Sequence, residues 1–256
     1  MIELLRNERR IIRPLCKNRK DDVVLWSCIE GNIGRVWVNS KESLSYAVVV
    51  AADFCFLLGL FEQADYEAIE NILTEHCRRK VIISEDKSLD SFIESQFSNS
   101  FRRSKRYEFN KAHTKFDRQQ LHGFALSVEP EYKVVKMNET LYYQALKDGF
   151  TADFCSFFSS LEEFLKHGIG YVVVYNDKIV AGASSYTYCE GNIEITIGTK
   201  EDFRRKGLAL ACASRLILDC LGRNIHPRWD AANKESVALA EKLGYHFEKG
   251  YEVYSF

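Results

Sequence analysis

Hydrophobic and polar residues alternate most regularly after Pro130, and the period of the alternation sorts that half into elements. Tyr132 to Met137 alternates as a strand, and Glu139 to Lys147 carries helical spacing. Leu161 to His167 reads as a short helix, with Ser159 or Ser160 to cap it and Gly168 to stop it. Tyr171 to Tyr175 and Lys178 to Tyr188 are strands on either side of Asn176-Asp177, which predicts a hairpin. Glu190-Gly191-Asn192 is a further turn, and Ile193 to Ile197 the strand after it. A loop from Gly198 to Gly207 precedes a helix over Leu208 to Leu221, whose apolar positions Leu210, Ala213, Ile217 and Leu221 share a face. Pro227 to Asp230 is a short strand, Lys234 to Leu243 a helix ended by Gly244, and Tyr245 to Phe256 two strands around Gly250.

The N-terminal half is less regular. Val23 to Ile29 is an apolar stretch, and Gly34 to Val38 a strand. Leu44 to Leu60 reads as two buried strands joined by a turn at Ala52-Asp53. Ala64 to Arg79 has helical spacing through Ile69, Ile72, Leu73 and Cys77, and Val81 to Ile83 is a short buried strand. The change in regularity places a boundary near Ser127 to Pro130. The expected layout is an α/β (α+β) fold: residues 129–256 form a mixed sheet flanked by helices, preceded by a smaller α/β domain over residues 1–128.

Composition narrows the function. With 256 residues, 46% apolar and 28% charged, the chain can bury a core without staples. A net charge of −1 argues against a surface built wholly to grip nucleic acid or a membrane. Eight scattered cysteines include no C-x-x-C pair and no zinc spacing, so no metal is expected and the thiols suit a reducing cytoplasm. The longest apolar run, Ala47 to Leu60, is interrupted by Asp53 and too short to span a bilayer, and the charged start lacks a secretory signature. One local exception to neutrality is Arg102 to Arg118, with seven Lys or Arg among Tyr107, Phe109 and Phe116. It reads either as a solvated, apolar-striped segment or as a contact for RNA or a phosphate.

The sharpest chemical signal is Arg204-Arg205-Lys206-Gly207-Leu208-Ala209, between a strand and a long helix. A helix start offers unpaired N–H groups and the positive end of a dipole, and a glycine lets the backbone approach a ligand. With basic side chains added, the segment suits a pyrophosphate. It could equally be a solvated helix start.

Here the chain resembles the GNAT N-acetyltransferases, whose signature is Gln or Arg, two residues, Gly, one residue, then Gly or Ala. Arg204, Gly207 and Ala209 match it. Trp229-Asp-Ala-Ala-Asn233, leading through a helix to Lys242-Leu-Gly-Tyr245, is similar to the family's strand-Asn-helix segment. The resemblance covers about residues 130–256 and looks closest to the bacterial subgroup with zwittermicin-resistance-type acetyltransferases. Asp53-Phe-Cys-Phe-Leu57, Arg106-Tyr107 and Ile193-Glu-Ile195 extend it into the N-terminal half.

The resemblance implies acetyl-CoA as cosubstrate and a small-molecule primary amine as acceptor, with no membrane or nucleic-acid partner; a homodimer stays open as the assembly. It implies that amides around Arg204, Arg205, Lys206, Gly207, Leu208 and Ala209 hold the diphosphate. Backbone groups of Ile197 and Thr199 would meet the pantetheine arm and the thioester oxygen, on a strand splayed from its neighbour. Glu194 is the candidate base; the competing reading is a carboxylate facing solvent or an arginine. Asn233 would bond the CoA arm or cap its helix. One departure stands out: Ala240 occupies the position where many relatives carry the tyrosine that protonates the leaving thiolate. Two rivals remain, a tandem GNAT-like aminoacyl transferase using aminoacyl-tRNA and a non-catalytic acyl-CoA sensor.

Overall fold

Two units divide the chain in a computed structural model that describes residues 1–77, 80–98 and 100–255. One comprises Met1–Arg106 with Gly250–Phe256, the other Tyr107–Lys249. This differs from the expected division at 128/129. Residues 107–128 join the second unit because α4 (Arg118–Ala125) packs Leu121 and Phe124 against the core around α7 (Leu208–Gly222).

In the first unit, β1 (Ile2–Glu3), β2 (Arg35–Val38), β3 (Tyr46–Ala51) and β4 (Phe54–Gly59) pair antiparallel in sequence order. β4 then pairs parallel with β5 (Val81–Ser84), and Ile82 of β5 faces Tyr254 near the chain's end. The β3–β4 turn passes through Ala52 at φ 48°, where the alternation predicted it. The apolar stretch 23–29 is a helix, α1 (Val23–Ile29), capped by the Asp22 carboxylate, which accepts from the Leu25 N–H at 3.1 Å. α2 (Tyr66–His76) and α3 (Ser88–Gln96) bury Ile69, Leu73, Leu89 and Ile93 against β3 to β5. The end of the helical stretch expected through Arg79, and Phe256, lie outside the described residues.

β6 (Arg102–Phe109) leads from the first unit into the second, so the basic stretch begins as a strand. The second unit's main sheet runs in the order β11 (His226–Arg228), β10 (Asn192–Thr199), β9 (Lys178–Cys189), β8 (Gly170–Tyr175), β7 (Lys133–Lys136). All neighbours are antiparallel except β10 and β11. One face is covered by α4 and α7, which bury Ala181, Ala183, Ile193 and Ile195. On the other, Phe154 and Phe158 join residues of α5 (Glu139–Leu146) and α6 (Leu161–His167) over Val172 and Ile179. α6 is capped by Ser160, whose hydroxyl accepts from the Glu163 N–H.

Two expected strands differ. Pro227 to Asp230 is not one strand: β11 ends at Arg228, and β12 (Asp230–Ala231) pairs instead with Tyr107 and Glu108 of β6. Trp229, 3% exposed, separates them, its ring buried against Tyr245 at 5.3 Å. The last segment after α8 (Lys234–Leu243) is one strand, β13 (Phe247–Ser255), because Gly250 continues it instead of turning it.

Candidate functional site

α7 begins differently from its neighbours. Asp117, Asn138, Ser160 and Asn233 cap the other α-helices of its unit with side-chain oxygens. The cap of α7 is Gly207, left-handed at φ 74° and ψ 2°, with no side-chain cap. The first bond closing the helix runs from the Ala211 N–H to the Gly207 carbonyl at 3.0 Å. The N–H groups of Leu208, Ala209 and Leu210 precede that bond and point out of the helix end. Arg205 is also left-handed, at φ 62°, so two of the three residues from Arg205 to Gly207 adopt that conformation. A Cβ built on Gly207 meets nothing within 4 Å.

A groove of about 260 Å³ opens in front of this end, lined by Thr199, Phe203, Arg204 to Arg205, Gly207 to Leu210, Leu239 and Lys242. Its lining carries three cations and no carboxylate. Among the described residues none of these cations is in an ion pair; Arg204 donates from Nε to the Thr199 carbonyl at 3.4 Å. Lys206 does not line the groove. Its Nζ donates to the Tyr132 hydroxyl at 2.8 Å and lies 5.5 Å from the Phe203 ring centroid. That hydrogen bond raises the Lys206 ammonium above its ordinary pKa.

β10 presents an edge beside the loop. Its parallel register with β11 stops at Glu194–Arg228, and Ile195 to Thr199 pair with β9 alone. Lys200 donates to the Val180 carbonyl at 2.8 Å, while Ser185, opposite Ile195, donates away to Ile169 at 2.8 Å. Antiparallel alternation then turns Thr196 and Gly198 toward β9 and directs the backbone groups of Ile195, Ile197 and Thr199 to the opposite edge. A register shift between Glu194 and Ile195, with Tyr186 as the extra residue on β9, sits where β11 departs.

Glu194 is 5% exposed, and Arg228 Nη1 donates to its Oε2 at 2.9 Å. The two residues are register partners, so the strand pairing itself sets this contact. Asn233 caps α8, its Oδ1 accepting from the Ser236 N–H at 2.8 Å. Ala240 is fully buried. Tyr245 donates its hydroxyl to the Pro227 carbonyl at 2.8 Å, and burial, then Cys220 and Glu194 nearby, push its phenol well above the ordinary range. Among the described residues no cluster of three or more His, Cys, Asp or Glu could hold a metal, and no helix is long and apolar enough to cross a membrane.

Arg228 and Leu239 were not singled out from the sequence, and Lys242 entered only as part of the Lys242-Leu-Gly-Tyr245 segment, without a role. Arg228 lies two residues before Asp230 in a strand that looked like structure only. Leu239 and Lys242 stand three apart on α8, which puts them on one helix face.

The GNAT acetyltransferase model matches residues 13–254. A crystal structure of a GCN5-related N-acetyltransferase-like protein from Streptococcus suis 89/1591 is 30% identical, with a TM-score of 0.88 over 97% of this chain and 98% of that one. The uncharacterized N-acetyltransferase YdfB of Bacillus subtilis (strain 168) is 26% identical over 191 residues, 66% of this chain and 73% of that protein. A GCN5-related N-acetyltransferase from Sphaerobacter thermophilus, 11% identical, shares the fold alone, with a TM-score of 0.56 over 99% of this chain and 94% of that one. The family match takes in the N-terminal half as well as the loop at Gly207, and on that extent the chain belongs to the GNAT acetyltransferase family, as an N-acetyltransferase.

Proposed function

We propose that the enzyme transfers an acetyl group from acetyl-CoA to a primary amine of a small molecule, by direct attack in a ternary complex. The observation that carries this is the uncapped start of α7 facing a groove with cations and no carboxylate. An anion there replaces the missing cap. The N–H groups of Leu208 to Leu210 and the side chains of Arg204 and Arg205 hold the diphosphate in this reading. Gly207 is the point of closest backbone approach.

The pantetheine arm lies along the β10 edge, bonded by backbone groups of Ile197 and Thr199, and an N–H of that edge polarises the thioester oxygen. The amine nitrogen attacks the carbonyl carbon, the C–N bond forms and the C–S bond breaks. Glu194 takes the amine proton, directly or through water. With Ala240 where a tyrosine would stand, the thiolate leaves without a donor from α8 and takes its proton from water. Asn233 holds the start of α8 in place through its cap. Kinship with the zwittermicin-resistance-type acetyltransferases, suggested by Asp53 to Leu57 and Arg106-Tyr107, is part of this proposal.

The test is thiol release across a panel of small primary amines with acetyl-CoA, alongside titration with CoA and with tRNA. Release with at least one amine together with CoA binding is expected. Binding of tRNA in place of CoA would refute the reading and favour aminoacyl transfer.

A further inference from the structure

We propose that Lys242 makes the enzyme selective for a nucleotide that carries a phosphate on its ribose 3′ position, so that CoA binds more tightly than 3′-dephospho-CoA. The inference rests on the acyl-CoA reading above and adds a specificity residue on a second helix.

Charge counting leads to it. The diphosphate of CoA carries about two negative charges, and its 3′-phosphomonoester, titrating near pH 6, close to two more at neutral pH. The helix end, Arg204 and Arg205 complement the diphosphate in that reading, with Arg204 tethered to the Thr199 carbonyl at the end of β10. Lys206 is turned out of the groove to Tyr132 and Phe203. Lys242 enters the lining from α8, independently of the loop and its helix end. Its Nζ lies 5.3 Å from the Phe124 ring centroid, a contact that steadies the ammonium without using its hydrogen-bond donors on a carboxylate. A lysine in that setting acts as a point charge for a phosphate.

The groove has the matching apolar part. Leu239, three residues before Lys242 on the same face of α8, lines it with Ala209 and Leu210 of α7. An apolar wall between two helices, with a cation at its rim and no acid in its lining, suits a purine nucleoside bearing a phosphomonoester. A merely solvating lysine would need no such wall.

Isothermal titration with CoA and with 3′-dephospho-CoA, on the wild type, Lys242→Gln and Lys242→Arg, tests it. The wild type is expected to bind CoA about tenfold more tightly than the dephosphorylated form. Lys242→Gln should weaken CoA by about five- to tenfold and leave 3′-dephospho-CoA about unchanged, and Lys242→Arg should keep the preference. Lys242 is exposed, so its variants test binding on a folded protein. Equal wild-type affinity for the two nucleotides, or equal weakening of both by Lys242→Gln, would overturn the inference and leave the acyl-CoA reading standing. A wild type that binds neither nucleotide would overturn both.

Discussion

Gly207 separates what the fold needs from what a ligand needs. Its φ of 74° requires a left-handed residue, yet a Cβ added there meets no atom within 4 Å. Gly207→Ala therefore costs only the conformational penalty, about 1 kcal/mol, with no steric part. Asn tolerates the left-handed region better than Ala, so Gly207→Asn should cost less, roughly 0.5 kcal/mol. In urea denaturation the stability order is expected to be Gly, then Asn, then Ala. Binding should follow a different order. If the open space before Gly207 is where a diphosphate rests, each added atom displaces it. An overpacked contact costs about 2 kcal/mol, or roughly thirtyfold in affinity. CoA affinity by titration should then fall from Gly to Ala to Asn, opposite to stability for the last two. An affinity order that copies the stability order, or an Asn variant that binds CoA like the wild type, would refute the placement of the diphosphate at this helix end.

Other outcomes follow from the same geometry. Asn233→Ala should lose about 1 kcal/mol of stability through the missing cap, whereas Asn233→Ser should keep most of it; equal loss in both by thermal melts would count against the cap as the main role. Glu194→Gln should lower turnover at pH 7.5 by about a hundredfold and stability by about 2 kcal/mol, since it weakens the buried contact with Arg228, while sparing CoA affinity. Unchanged turnover would leave the residue with a structural role alone. Burial works to raise the Asp219 carboxyl, but Lys136 and Arg223 outweigh it and hold the group below its ordinary value. A carboxyl depressed in the folded state stabilises above its unfolded pKa and loses that contribution as pH falls through the folded one. Asp219→Asn should therefore be less stable than the wild type at pH 7, with the gap closing in acid below the ordinary aspartate range; a constant gap in denaturation from pH 7 to pH 2 would refute this. Gly182→Ala should destabilise by about 2 kcal/mol, more than Gly207→Ala, because its Cβ would stand 2.7 Å from the buried Phe154 ring. Urea midpoints check that ranking.

Local periodicity was enough to find most elements of residues 130–256. Alternation found β7 and β10, whereas β8 and β9, covered on both faces, were legible as runs of apolar and small residues on either side of the turn at Asn176-Asp177. The turn at Asn176-Asp177 and the stop at Gly244 were legible because their left-handed backbone favours those residue types. Val23 to Ile29 was harder: nearly every position of that helix is buried, which erases the period that distinguishes a helix from a strand.

The chain by itself determined the motif at Arg204 to Ala209, since a glycine cap and neighbouring arginines are local features of the polypeptide. Only the tertiary structure decided what surrounds them. The exposed edge of β10 exists because β11 leaves it after Arg228 and β12 takes β6 as its partner, and no residue along β10 records that exchange. The Glu194–Arg228 contact and the presence of Lys242 beside the loop likewise depend on strand register and helix packing. Such contacts join positions tens of residues apart, where the spacing of side chains along one strand or helix carries no information.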